Sequence, residues 1–193
     1  MKKTMLLGTI ATVLSTVLAA PLTQAAALPL QGSSITATYS GGAVLGADHG
    51  FAAEAGSETT TLDPAPDGLE FLSGDYRFGF DFTEDGRLTV YANDIIPAGA
   101  YSFVFDFGAT LAAPIASFGL LDTSAIGGMP VLTVLDAHRI ALDLSGVSWG
   151  DNFLPFTSAL TLLPPGPSQV PEPGPAALLL TGLGALTLAR RRR

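Results

Sequence analysis

Between Asp48 and Asp151 the chain carries sixteen carboxylates and two histidines, with no cysteine anywhere in its 193 residues. Those side chains bound the chemistry open to it. His49 lies in Asp48-His49-Gly50 and His138 follows Asp136-Ala137. A zinc site built on them would need carboxylates from elsewhere, because zinc favours nitrogen and sulfur ligands. Both histidines therefore read as solvated turn residues. Gly146-Val147-Ser148-Trp149-Gly150 has the Gly-x-Ser-x-Gly spacing, but a nucleophile elbow needs a helix after the serine and no helical period follows; a His-Glu-x-x-His motif and a glycine-rich phosphate loop do not occur. Calcium is the cation to weigh. Asp81-Phe82-Thr83-Glu84-Asp85-Gly86 starts like a calcium loop, but the twelfth position, which must be acidic, is Ala92. Asp63, Asp67 and Glu70 form a second acidic group beside Pro64 and Pro66, where turn formation and solubility account for them. A pair of carboxylates hydrolysing a glycan is defined by separation in space, so sequence cannot select two from sixteen. Trp149, the only tryptophan, precedes Gly150, Asp151 and Asn152, a grouping able to stack on a sugar ring, although filling a core or an edge is the commoner role. The expectation is a domain with no catalytic residues and no cofactor, calcium being the one ion left open.

The elements that would position these groups read as strands. Tyr76, Phe78, Phe80 and Phe82 alternate with Arg77, Gly79 and Asp81. That puts four aromatics on one face of a strand. Thr83-Glu84-Asp85-Gly86 is a turn, and Leu88, Val90 and Ala92 continue in a second strand with Tyr91 on its opposite face. Tyr101, Phe103, Phe105 and Phe107 form another aromatic ladder. Ile35, Ala37 and Tyr39 mark a short strand, residues 131–135 and 139–145 are β-favouring runs around a turn, and 157–163 is the last candidate. Residues 41–61 read as a long mobile loop. No segment from 28 to 163 sustains a helical period. The expected fold is all-β, an antiparallel β-sandwich or jelly-roll with the ladders as its core.

The ends have a different character. Residues 1–27 open with Lys2 and Lys3, continue uncharged from Thr4 to Ala20 and close on small residues, the layout of a cleavable secretory signal. Residues 28–163 are then the domain, about the usual size of one. It holds only Arg77, Arg87 and Arg139 against its sixteen acids, leaving −13. So acidic a body is repelled by nucleic acid and anionic headgroups. Residues 164–169 are a proline-rich spacer. In residues 170–193 three parts follow in order. Val170, Pro171, Glu172 and Pro173 hold the peptide extended. The uncharged residues 174–189 would span about 24 Å as a transmembrane helix, shorter than a bilayer core of about 30 Å. Arg190, Arg191, Arg192 and Arg193 act as a stop-transfer cluster that stays in the cytoplasm.

This tail resembles the PEP-CTERM sorting signal, also called the ice-binding protein C-terminal domain, over Val170 to Arg193 alone. The resemblance implies a Gram-negative host, export across the inner membrane with signal peptidase, transient tethering through the C-terminal segment, and processing near Pro171-Glu172-Pro173 by an exosortase. Release or attachment at the cell surface would follow. On this expectation the protein is a non-catalytic structural or binding module associated with extracellular polysaccharide, and nucleic acid is not a partner. Two other readings stay open: an extracellular glycan hydrolase using an Asp/Glu pair, and a periplasmic protein permanently anchored by its tail.

Overall fold

The computed structural model describes residues 28–63, 68–93, 95–150 and 153–164. The signal segment 1–27, the sorting signal 170–193 with its 174–189 span and arginines 190–193, and all of the spacer except Pro164 lie outside the described residues. So do Asp67, Asp151 and Asn152. Among the described residues no helix is long and apolar enough to cross a membrane.

The fold is all-β and antiparallel. Its strands are β1 (Ser34–Tyr39), β2 (Val44–Gly46), β3 (Thr59–Thr61), β4 (Phe71–Ser73), β5 (Phe78–Phe82), β6 (Arg87–Ala92), β7 (Ser102–Asp106), β8 (Ile115–Asp122), β9 (Ile126–Gly128), β10 (Val131–Val134), β11 (Arg139–Asp143), β12 (Val147–Trp149) and β13 (Phe156–Leu162). They form a five-stranded sheet ordered β10-β11-β7-β1-β3, a six-stranded sheet ordered β2-β4-β5-β6-β13-β8, and the ribbon β12-β9.

The two large sheets meet through the aromatic ladders. Phe78, Phe80 and Phe82 of β5 face Phe103 and Phe105 of β7 and the adjoining Phe107, with ring centroids 5.5 Å apart for Phe78–Phe103, 5.2 Å for Phe80–Phe105 and 5.8 Å for Phe82–Phe107. The pairs are edge-on, the arrangement the ring quadrupole favours. Ile140 and Leu142 of β11, Ile35 and Ala37 of β1, and Leu88 and Val90 of β6 complete the buried layer. Backbone bonds also tie the sheet margins together: the Gly46 N–H donates to the Ser57 carbonyl (2.6 Å) and the Ile115 N–H to the Ala137 carbonyl (2.9 Å). Such ties cover strand edges that would otherwise invite pairing with another chain.

The expected hairpins form. β5 pairs with β6 from Phe78↔Ala92 to Phe82↔Leu88, and β10 pairs with β11. Gly86 closes the first turn at φ +91°, where an added Cβ would lie 2.4 Å from the Leu160 carbonyl oxygen. Only glycine fits there. Two expectations are corrected. Tyr76 does not join the aromatic ladder: it precedes β5 at φ +58° and is exposed. A left-handed backbone breaks the alternation on which that reading depended. Residues 41–61 are not an unstructured loop, since β2, a short 3₁₀ turn (Ala47–His49) and β3 lie within them.

Candidate functional site

Most of the acids whose contacts are resolved build turns. The carboxylates of Asp75, Asp106, Asp122, Asp136 and Asp143 each accept from the backbone N–H two residues on, at 3.3, 2.8, 2.8, 2.9 and 2.8 Å respectively. Side chains that fold back on their own backbone are a recurrent way of nucleating turns. These bonds hold Asp122, Asp136 and Asp143 below the usual carboxylate range, with the Ser145 hydroxyl the larger influence on Asp143. Arg139 also pairs with Asp136 at 2.6 Å. The loop resembling the start of a calcium site is the β5–β6 turn, where the Thr83 hydroxyl donates to Asp85 and lowers its pKa. Among the described residues no three His, Asp or Glu side chains are grouped to hold a metal ion.

His49 sits in the 3₁₀ turn, its Nδ1 2.6 Å from Glu54 Oε1, and His138 lies in the β10–β11 turn. The structure does not bring the two histidines into one site. Trp149, at the end of β12, packs its ring against Phe78 and Phe156 with centroids 5.9 Å away in both cases. The indole is thus half-buried against the core, which leaves little of it to stack on a ligand.

Glu70 departs from the expected exposed turn acid. It stands one position before the Phe71↔Phe80 pair, and its N–H donates to the Phe80 carbonyl (2.9 Å). Its side chain is 1 % exposed. Oε2 accepts from the Phe82 N–H at 2.5 Å, while Oε1 has no partner among the described residues. Loss of hydration pushes its pKa up to about 7, and the charge of Asp81 adds to the rise against the opposing backbone N–H bonds.

Beside Glu70, the outer face of the six-stranded sheet holds a cleft of about 240 Å³ lined by Leu69, Leu72, Gly79, Asp81, Tyr91, Asn93 and Phe153. Strand alternation explains the lining. With Phe78, Phe80 and Phe82 turned into the core, Gly79 and Asp81 of β5 turn outward, as do Leu72 of β4 and Tyr91 of β6. Gly79 pairs with Leu72 on one side and Tyr91 on the other. The space over Gly79 is taken by the Leu69 side chain, whose terminal carbons would lie 3.2 and 3.3 Å from an added Cβ. Asn93 is anchored by its N–H to the Arg77 carbonyl (2.8 Å) and by Nδ2 to the Tyr76 carbonyl (2.9 Å). Phe153 is 63 % exposed at φ +68°, and its N–H donates to the Ala92 carbonyl (2.7 Å). A left-handed non-glycine residue costs on the order of 1–3 kcal/mol and is enriched at sites where geometry serves function.

Trp149 thus fills the core edge, the commoner of the two roles its sequence context allows, and no sequence motif marks Phe153, Asn93 or the outward face of β5. The signal available was Gly79 and Asp81 between buried phenylalanines, together with Tyr91 on the side of β6 away from Leu88 and Val90. Glu70 does not line the cleft, so the two carboxylates Glu70 and Asp81 do not converge on one reacting position there.

Both ends of the described domain lie together. Leu28, Pro29 and residues 160–164 line a second, mainly apolar cleft of about 440 Å³ with Ala112 and Ala113. The Leu30 N–H donates to the Glu84 carbonyl (2.9 Å) and the Leu163 N–H to the Pro114 carbonyl (2.8 Å). No family description, curated protein or solved structure matches the chain.

Proposed function

We propose that the chain is an exported surface protein in which two terminal segments serve as addresses and the acidic β-domain, a sandwich of the two large sheets, is the cargo. The observation that carries the reading is the ordered tail: Val170-Pro171-Glu172-Pro173, sixteen uncharged residues and four terminal arginines. Its likeness to PEP-CTERM signals suggests an exosortase as the processing partner, with signal peptidase acting at the other end and the membrane holding the tail between the two events. The charge asymmetry supports the same route. All six cations outside the domain flank apolar segments, where they resist translocation, and the body that must cross carries −13. The neighbouring exits of residues 28 and 164 suit a domain tethered through either end with one pole toward the bilayer.

Within this reading the domain is a non-catalytic binding or structural module in contact with extracellular polysaccharide, its site being the outer-face cleft. The alternative of a glycan hydrolase needs two carboxylates facing one bond, and the buried position of Glu70 outside the cleft lining does not favour it. Mass spectrometry of the surface-released protein tests the route. The expected C-terminus lies near Pro171–Pro173, and replacing Pro171, Glu172 and Pro173 by alanine is expected to leave full-length chain in the membrane fraction. Retention of Arg193 on released protein would overturn the sorting proposal and leave a permanent tail anchor.

A further inference from the structure

We infer that the cleft between Leu72, Tyr91 and Phe153 binds one ring of a neutral polysaccharide, an assignment resting on the reading of the domain as a non-catalytic binding module. A sugar ring presents apolar C–H faces edged by hydroxyls. Its receptor therefore combines flat apolar surface with a few fixed hydrogen-bonding groups. Phe153 and Tyr91 supply aromatic surface, Leu69 and Leu72 supply aliphatic surface, and Asp81 and Asn93 supply polar atoms in the same cleft.

Two further observations narrow the occupant. Phe153 is held largely in solvent on a left-handed backbone although an apolar ring gains by burial, so the site is prepared for something that covers it. The volume, about 240 Å³, lies below the roughly 300–1,000 Å³ of pockets that enclose drug-sized ligands. A single ring of a longer chain fits that size, with its neighbours running past the cleft mouth. Charge selects among glycans. Asp81 is in the lining and the domain has three cations against sixteen acids, so uronate- or phosphate-bearing chains are repelled.

Calorimetric titration of the full-length chain in mild detergent tests this, using cello-, manno- and xylo-oligosaccharides of about six units and an oligogalacturonate of equal length. At least one neutral series is expected to bind. Phe153→Ala is expected to weaken it at least tenfold and Asn93→Ala several-fold, with circular dichroism unchanged because both side chains lie outside the core. Leu72→Trp, which adds bulk to the cleft wall, is expected to abolish binding. Absence of binding to all three neutral series, wild-type affinity in Phe153→Ala, or equal binding of the oligogalacturonate would each overturn the assignment. The titration uses purified protein, so a failure of export or processing leaves its outcome unchanged, and a failure here leaves C-terminal processing unchanged.

Discussion

Strand β5 shows two surfaces built from five consecutive residues. On the inner side Phe78, Phe80 and Phe82 are at most 1 % exposed and meet the rings of β7. On the outer side Gly79 and Asp81 form the floor of a cleft flanked by Tyr91 and Phe153. Both sides use aromatic rings, but the inner phenylalanines are at most 1 % exposed, whereas Phe153 on the outer side is 63 % exposed. The difference teaches that aromatic content alone does not separate core from site. What separates them is whether a partner surface already covers the ring.

The largest effect should come from breaking the inner surface. Phe105 is fully buried and touches the rings of Phe71, Phe80, Phe82 and Phe103. Phe105→Ala removes those contacts and leaves a cavity, with an expected loss of about 3–5 kcal/mol. For a domain whose whole stability is of order 5–15 kcal/mol, that is a large fraction. Thermal denaturation would read it as a fall in Tm of roughly 10–20 °C. A fall under about 3 °C would show that the two sheets do not depend on the ladder.

A smaller, pH-dependent effect should come from Glu70, buried one position before the Phe71↔Phe80 pair. Its folded-state pKa is about 7 against an ordinary value of 4.5, so the folded protein holds the proton more tightly than the unfolded chain. The corresponding stabilisation is fully present below about pH 4.5 and is lost as pH rises through about 7. At 1.36 kcal/mol per pKa unit, the full span is on the order of 3 kcal/mol. Urea denaturation between pH 4.5 and 8 should therefore show stability falling with pH in the wild type. Glu70→Gln keeps an acceptor for the Phe82 N–H without a charge, and should flatten the slope and stabilise the protein at pH 8. An unchanged slope would mean that Glu70 is hydrated in solution. The aspartates held low by turn N–H groups act with the opposite sign, losing their contribution as pH falls through the acid range.

Legibility in the sequence followed the same division. β1, the β5–β6 hairpin, β7, β11 and β13 were readable because one buried face imposes a period of two, and β10 through its β-favouring residues beside a turn. β2, β3, β4, β9 and β12 are three residues long, too short to display a period. β8 is long enough, yet its clearly buried residues are Ile115 and Phe118, three apart. Its pairing with β13 shifts register at Thr157/Ser158 and Thr161/Leu162, and such irregularities turn side chains off the expected face. The site was less readable than the fold. Glu70 is buried because the Phe82 N–H lies beside it, and Phe153 joins the cleft through a bond to Ala92 sixty-one positions earlier. Neither relation has a local signature.

The smallest expected effect sharpens the opening contrast most directly, because it repeats the same substitution on the other surface. Phe153→Ala removes as many atoms as Phe105→Ala, but from a ring that is 63 % exposed and absent from the buried core. Little apolar area returns to water and no enclosed cavity forms, so the transfer and cavity contributions that dominate at Phe105 nearly vanish. The left-handed backbone at φ +68° persists with alanine, so relief of strain does not offset the change. Stability should stay within about 0.5 kcal/mol of wild type, the usual range for surface positions. Denaturant midpoints measured on both variants give the comparison. A loss above about 1.5 kcal/mol for Phe153→Ala would make that ring part of the core, and the division of β5 into a structural face and a receptive face would fail.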